Sequence, residues 1–412
     1  MSDPKIMKVW ISWLLVFLCI LAIFLVVPTA RAIQKFVTVR WGRSLFGYSV
    51  LIITLSAFFI LLYVLFFRLK IRSLSNYIWL SLIAGLYFYF TLRLWPTPEE
   101  AIHFLEYGLL GYFLFRALSF KIKDNSIYLV AILIGFLVGT FDEILQWIVP
   151  LRYWDTRDVG LNVLSVTLFQ VALWKGINPE IISEKIKAKS LRTASILLGI
   201  NIVLLGVCMS NTPQRVVGYT KLIPALSSLQ KEETMTEFRH KHKDPEIGVF
   251  YSRLTIEELE KIDKENAHEY AQILKFWMDK DYERFLRDFS PSTHPFLHEL
   301  RVHAFRRDKK FEEGLMASDR ENKRKSFFIA YKENFILEKY FSQTIQKSVH
   351  RWGREKIKKT ENLIDISQPY VSPVSSGLFA SFGEKTMWLA ILIFFVFLAL
   401  FNIYFSRTRK LR

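Results

Sequence analysis

The chain has 412 residues, 51% of them hydrophobic and 16% aromatic, and a formal charge of +17. Apolar runs of about 20 residues alternate with charged stretches, which excludes both an ordinary soluble globule and a disordered chain. The positive charge shows no basic face interleaved with aromatics on a soluble module, so the expected partner is anionic lipid and not nucleic acid.

In chain order, residues 9–27 form a first apolar run closed by Pro28, and residues 45–67 a second. The second holds 23 residues without a formal charge, about 34 Å as a helix and enough to cross a bilayer with some tilt. Residues 77–95 form an aromatic third run, followed by the turn Trp95-Pro96-Thr97-Pro98-Glu99-Glu100. Three further runs, at 101–120, 126–149 and 158–174, carry polar residues that hydrocarbon rejects. A basic linker with Lys175, Lys185, Lys187 and Lys189 leads to a seventh run at 191–209. Residues 210–385 are polar, and an eighth run at 386–405 ends in Arg407, Arg409, Lys410 and Arg412. Cys19 and Cys208 lie in apolar runs, which argues against a disulfide framework.

This pattern predicts an all-α fold: a polytopic transmembrane helical bundle of about eight spans with a helical extracytoplasmic domain. With a cytoplasmic N-terminus, the basic loops 68–76, 121–125 and 175–190 and the C-terminal tail all fall inside, as the Lys/Arg bias requires. Residues 210–385 then lie outside. Only loop 28–44, with Arg31, Lys35, Arg40 and Arg43, offends. In the domain, Thr255-Ile256-Glu257-Glu258 reads as a capping box opening a helix to about Phe289. Two more helices are expected near 295–318 and 322–350, with Leu259, Ile262, Leu274, Trp277 and Phe285 available for a core and no strand pattern evident. His294, His298 and Glu299, or His240 and His242, have a thin likeness to metal spacing, and solvated histidines are the expectation.

The chemistry concentrates between His103 and Asn162. His103, Glu106 and Tyr107 share one helical face, as do Gly135, Gly139, Asp142, Glu143 and Gln146, and again Asp158, Asn162 and Ser165. A carboxylate inside a bilayer costs about 2.5–3.5 kcal/mol on the mild insertion scale, so three such faces are expected to meet and enclose a site. In the expected topology all of these residues sit near the outer leaflet. His103, Glu106, Asp142 and Glu143 are the candidates for proton or metal chemistry. Gln146, Arg152, Arg157, Asp158 and Asn162 are the candidates for substrate binding, the arginines by forked hydrogen bonds to an anionic group. No ligand-spacing motif fixes a metal; the oxygen-rich set would favour Mg²⁺, Ca²⁺ or Mn²⁺ if a divalent cation binds. The alternative is a packing network, in which each interhelical bond contributes about 0.6–2 kcal/mol.

The series His103-Phe104-Leu105-Glu106-Tyr107-Gly108-Leu109-Leu110-Gly111, Asp142-Glu143-Ile144-Leu145-Gln146, Pro150-Leu151-Arg152 and Asp155-x-x-Asp158-x-x-x-Asn162 resembles the VanZ-like family of bacterial membrane proteins. The family is named for an accessory teicoplanin-resistance protein. The likeness covers about residues 77–175, and Leu164-Ser165-Val166-Thr167 stands where the family commonly has small residues. The resemblance implies a bacterial cytoplasmic membrane and an envelope role. On this reading the chain divides into N-terminal spans (1–76), the VanZ-like part (77–175), a linker and seventh span (176–209), the outer domain (210–385) and a last span with its tail (386–412). The expected function is binding or modifying an anionic lipid-linked or cell-wall component. The alternative is a non-enzymatic scaffold whose outer domain binds an envelope protein.

Overall fold

The structure, a computed structural model, describes residues 4–150, 152–230, 235–278, 282–291, 293–365, 367–375 and 383–408. It divides into two compact units, one made of Met1–Cys208 with Leu389–Arg412, the other of Met209–Trp388.

In the first unit every apolar run becomes a helix. They are α1 (Pro4–Val26), α3 (Leu45–Tyr63), α4 (Leu74–Arg93), α5 (Ile102–Leu118), α6 (Ser126–Ile148), α7 (Thr156–Val171), α8 (Ala188–Met209) and α16 (Glu384–Thr408). Between α1 and α3 lies α2 (Ala30–Trp41), where the sequence reading placed a loop. Short π-helical turns extend α3 to Arg68 and α7 to Ile177, and Asn178 closes the latter in the left-handed conformation that asparagine tolerates. Among the described residues six helices are long and apolar enough to cross a membrane: α1, α3, α6, α7, α8 and α16. The expectation of eight spans is thus met by six on length and hydropathy. The shortfall falls on α4, which carries Ser, Asn and four aromatic hydroxyl or indole side chains, and on the 17-residue α5 with His103, Glu106 and Arg116. Arg409, Lys410 and Arg412 of the basic tail, and Leu151 of the Pro-Leu-Arg motif, lie outside the described residues.

The core of this unit runs through α1, α5, α6, α7 and α8, with Leu110, Leu114, Ile127, Ala131 and Val166 at its centre. Two glycines set the α6–α7 contact. A Cβ on Gly135 would come within 2.7 Å of Val166, and one on Gly139 within 2.9 Å of the Asn162 Cβ. The space for this contact is thus supplied by the glycines of α6, opposite Asn162 and Val166 of α7. Polar side chains stitch the helices across the apolar interior. Tyr87 donates to the Ser165 carbonyl (3.1 Å), Ser165 Oγ to the Phe104 carbonyl (3.0 Å), Gln170 to the Gly111 carbonyl (2.8 Å) and Asn201 to the Leu133 carbonyl (3.0 Å).

The second unit contains α9 (Pro213–Leu222), α10 (Ile256–Phe276), α11 (Tyr282–Asp288), α12 (Pro295–Met316), α13 (Arg320–Tyr340), α14 (Ser342–Lys347) and α15 (Arg354–Glu361). The capping box at Thr255 and Glu258 forms with both bonds in place. The single helix expected up to Phe289 is broken after Phe276. There the chain turns so that Phe285 and Phe289 pack edge-on against Trp277, a long-range aromatic preference that overrides local helical propensity. A small sheet was also not expected: β1 (His240–Asp244) pairs antiparallel with β2 (Gly248–Ser252), and β2 pairs parallel with β3 (Tyr370–Val371). These strands are too short, and β1 too charged, to show a period of two. Gly248 is required at the turn: its φ is +114°, and a Cβ there would lie 2.1 Å from the Tyr370 carbonyl oxygen. Phe250, Leu259, Leu274, Phe285, Leu297, Leu300 and Ile336 fill the core.

Candidate functional site

The site is built where the start of α5, the end of α6 and the start of α7 meet. The i, i+3, i+4 spacings turn each polar face inward. Asp142, Glu143, Gln146 and Asn162 are buried, with at most 4% exposure. Tyr107 donates to Asp142 at 3.2 Å. Glu143 takes a short bond from the Gln146 amide on one oxygen and the Asp155 backbone N–H at 3.2 Å on the other, which ties α6 to the start of α7. Asp155 caps α7 by accepting from the Arg157 N–H at 2.7 Å. His103 and Glu106 face each other one turn apart, with Nδ1 3.6 Å from the carboxylate. Arg152 lies within electrostatic reach of His103, Asp142, Glu143 and Asp158, and Glu106 within reach of Asp142. The separate faces therefore form one electrostatic cluster.

A cavity of about 350 Å³ opens beside this cluster, lined by His103, Glu106, Gln146, Arg152 and Asp158 together with Tyr153. Asp142, Glu143, Arg157 and Asn162 do not line it. Asp142 and Glu143 stand behind the wall; Glu143 reaches it through Gln146, whereas Tyr107, the donor to Asp142, does not line the cavity. Arg157 is paired with Glu100 at 2.7 Å on the outside of the bundle, with a half-exposed side chain. Asn162 packs against Gly139, and neither end of its amide has a hydrogen-bond partner.

The cavity also has a wall that sequence reasoning missed. Ala30, Arg31, Ile33 and Gln34 of α2 line it, with Glu99 and Glu100 from the short 3-10 turn Pro98–Ala101. Gln34 donates to Glu99 at 2.8 Å, and Arg43 forks onto the same carboxylate. The signal was present as the excess of positive charge in 28–44. That charge partly answers Glu99, and Arg31 faces the cavity.

Among the described residues no three His, Cys, Asp or Glu side chains converge to hold a metal ion. The thin metal likenesses elsewhere have other partners. His298 bonds the Phe289 carbonyl, Glu299 accepts from Ser252 and Arg253, and His242 bonds the Leu254 carbonyl.

A family model described as VanZ/LLP1 matches residues 13–175, starting well before the motif-bearing segment at 77. No curated protein and no solved structure matches the chain. The matched stretch includes all three faces of the cluster, α2 and the apolar helices α1 and α3, so over residues 13–175 this membrane protein is similar to the VanZ/LLP1 family.

Proposed function

We propose that the cavity binds the headgroup of an anionic lipid-linked or cell-wall component at the outer leaflet of a bacterial cytoplasmic membrane. The observation that carries this reading is the gathering of Arg152, His103, Glu106, Gln146 and Asp158 in one cavity of about 350 Å³, a size within the range of about 300–1,000 Å³ usual for small-molecule sites. Arg152 and Arg31 offer planar cationic donors to a phosphate or carboxylate. Glu106 and Asp158 accept from hydroxyl or amine groups of the same headgroup. His103 and Glu106 hold or pass a proton at the bound group, and Asp142, within electrostatic reach of Glu106, acts on that proton from behind the wall. Arg157, bound to Glu100, acts on the ligand only by fixing the start of α7 against the cavity wall.

The test is neutral substitution in the full-length protein: His103→Gln, Glu106→Gln, Asp142→Asn and Arg152→Gln, scored for glycopeptide sensitivity of the host at matched protein levels. If proton chemistry is performed, each of the first three lowers activity by about 10²–10⁴-fold, the usual contribution of one positioned acid or base. Full activity in all four variants would eliminate the reading.

The compact second unit, with its own core and sheet, favours a second reading: a scaffold whose domain 210–385 binds an envelope protein. In that case deleting 210–385 abolishes the phenotype while the four substitutions leave it intact.

A further inference from the structure

A second concavity shares no residue with the site above. It runs between α8 and α16 and encloses about 1220 Å³, more than the roughly 300–1,000 Å³ of small-molecule sites. From α8 it is lined by the stripe Lys189, Arg192, Ile196, Ile200, Val203 and Val207, spaced by three or four residues so that all face one way. From α16 come Phe395, Leu398, Ala399, Asn402 and Ile403. The two helices meet where Gly199 admits the Phe395 ring and where Ser195 Oγ donates to Asn402 at 3.2 Å.

The charge is confined to one end. Lys189 and Arg192 stand at the first turn of α8, both exposed and neither in an ion pair with a described residue. No acid lines the groove. Beyond the Ser195–Asn402 pair the walls are aliphatic or aromatic. The start of α8 is also the end of the bundle away from Arg152: Ser190 bonds Asp124 at 2.8 Å, in the loop that joins the end of α5 to the start of α6. In the expected topology that end is cytoplasmic, where anionic lipid is enriched.

The geometry points to a binding site for an anionic glycerophospholipid, with its phosphate at Lys189 and Arg192 and an acyl chain along Ile196, Ile200, Val203 and Leu398. Helix α8 rises about 27 Å between Lys189 and Val207, so the groove is long enough for a chain to lie wholly within it. The site does not depend on what the Arg152 cavity binds.

The experiment uses the full-length protein in vesicles containing a phosphatidylglycerol analogue with a photoactivatable acyl chain. Cross-links are expected in peptides from α8 and from the second half of α16, and the phosphatidylcholine analogue is expected to label them several-fold less. Replacing both cations, Lys189→Gln with Arg192→Gln, should lower retained phosphatidylglycerol by about thirtyfold, the effect of two basic residues at a membrane surface. Filling the groove instead, by Ile200→Trp, should remove the label while both cations stay. Equal labelling by the two headgroups would overturn the proposal, as would label confined to other helices. Preferential labelling by a polyprenyl phosphate would overturn the glycerophospholipid assignment. Cross-links between two copies of the chain through Ile200 would show that the groove is a dimer face.

Discussion

At the scale of single residues, the α6–α7 contact depends on two missing side chains. Gly135 and Gly139 let Val166 and Asn162 pack where a Cβ would come within 2.7 and 2.9 Å of them. Gly135→Ala should therefore lower the thermal stability of the protein in detergent or nanodiscs, by about 1–3 kcal/mol as an overpacking change. Val166→Ala added to it should restore most of the loss, because the clash is with the Val166 methyls. If the double variant is no more stable than the single one, the contact is not what the glycine serves. Gly139 has a further effect, since it brings Asn162 against the helix that holds Asp142 and Glu143.

At the scale of elements, α2 is the piece that changes the site. Its inner face, with Arg31, Ile33 and Gln34, lines the cavity. Its opposite face shows Phe36 and Val39, exposed by 63% and 80%, flanked by Lys35 and Arg40. An apolar stripe edged by basic residues is the pattern of a helix lying in the plane of a membrane interface. In a chain with Cys19 and Cys208 replaced by serine, Phe36→Cys and Val39→Cys should react slowly with a membrane-impermeant maleimide once in a bilayer, and Arg31→Cys readily. Equal reaction at all three positions would remove α2 from the interface.

The three polar faces were legible because helical spacing alone places 103, 106 and 107, or 142, 143 and 146, on one side. The helix α2 was not, because twelve residues with three basic side chains read as a loop until Gln34 finds Glu99 and one face finds the cavity wall. The same holds for β1, whose sequence His240-Lys241-His242-Lys243-Asp244 shows no alternation, and for the break at Trp277, which rests on rings twelve residues or fewer further along. Local signals found the helices; contacts made after folding decided where they stop.

At the scale of the whole molecule, the two units differ in what holds them together. The membrane unit is held mainly by an apolar core with one polar cluster, whereas Met209–Trp388 has acids and histidines distributed through its interior. Glu333, fully buried, would be raised by its burial, but His303 and bonds from Tyr370 and Ser372 win and hold it below the usual carboxylate range. Asp244 is likewise held at about 2, against the effect of burial, by Lys339 and Tyr340. Burial, with nearby arginines, pushes His298 and His350 down to about 4. The two histidines take up protons in the unfolded chain from about pH 6.5 downward, but not in the folded unit until near 4. The two acids bind protons earlier in the unfolded chain as well. All four effects have one sign: stability falls as pH falls, first through the window from 6.5 to 4, then below it. Hydrogen exchange on the full-length protein, corrected for intrinsic rates, should show less protection across 209–388 at pH 5 than at pH 7.5. Unchanged protection would mean that these groups do not couple to folding.

The way in and the way out of the Met209–Trp388 unit are fastened together. Trp388 donates to Ser210 at 2.9 Å, and Arg215 pairs with Glu384 at 2.6 Å. The flanking helices α8 and α16 also touch each other, at Ser195 and Asn402. A segment whose two ends adjoin in this way can be spliced out and replaced by a short turn without pulling its flanking helices apart. It can equally be grafted between two other neighbouring helices, so the domain has the anatomy of a portable insertion.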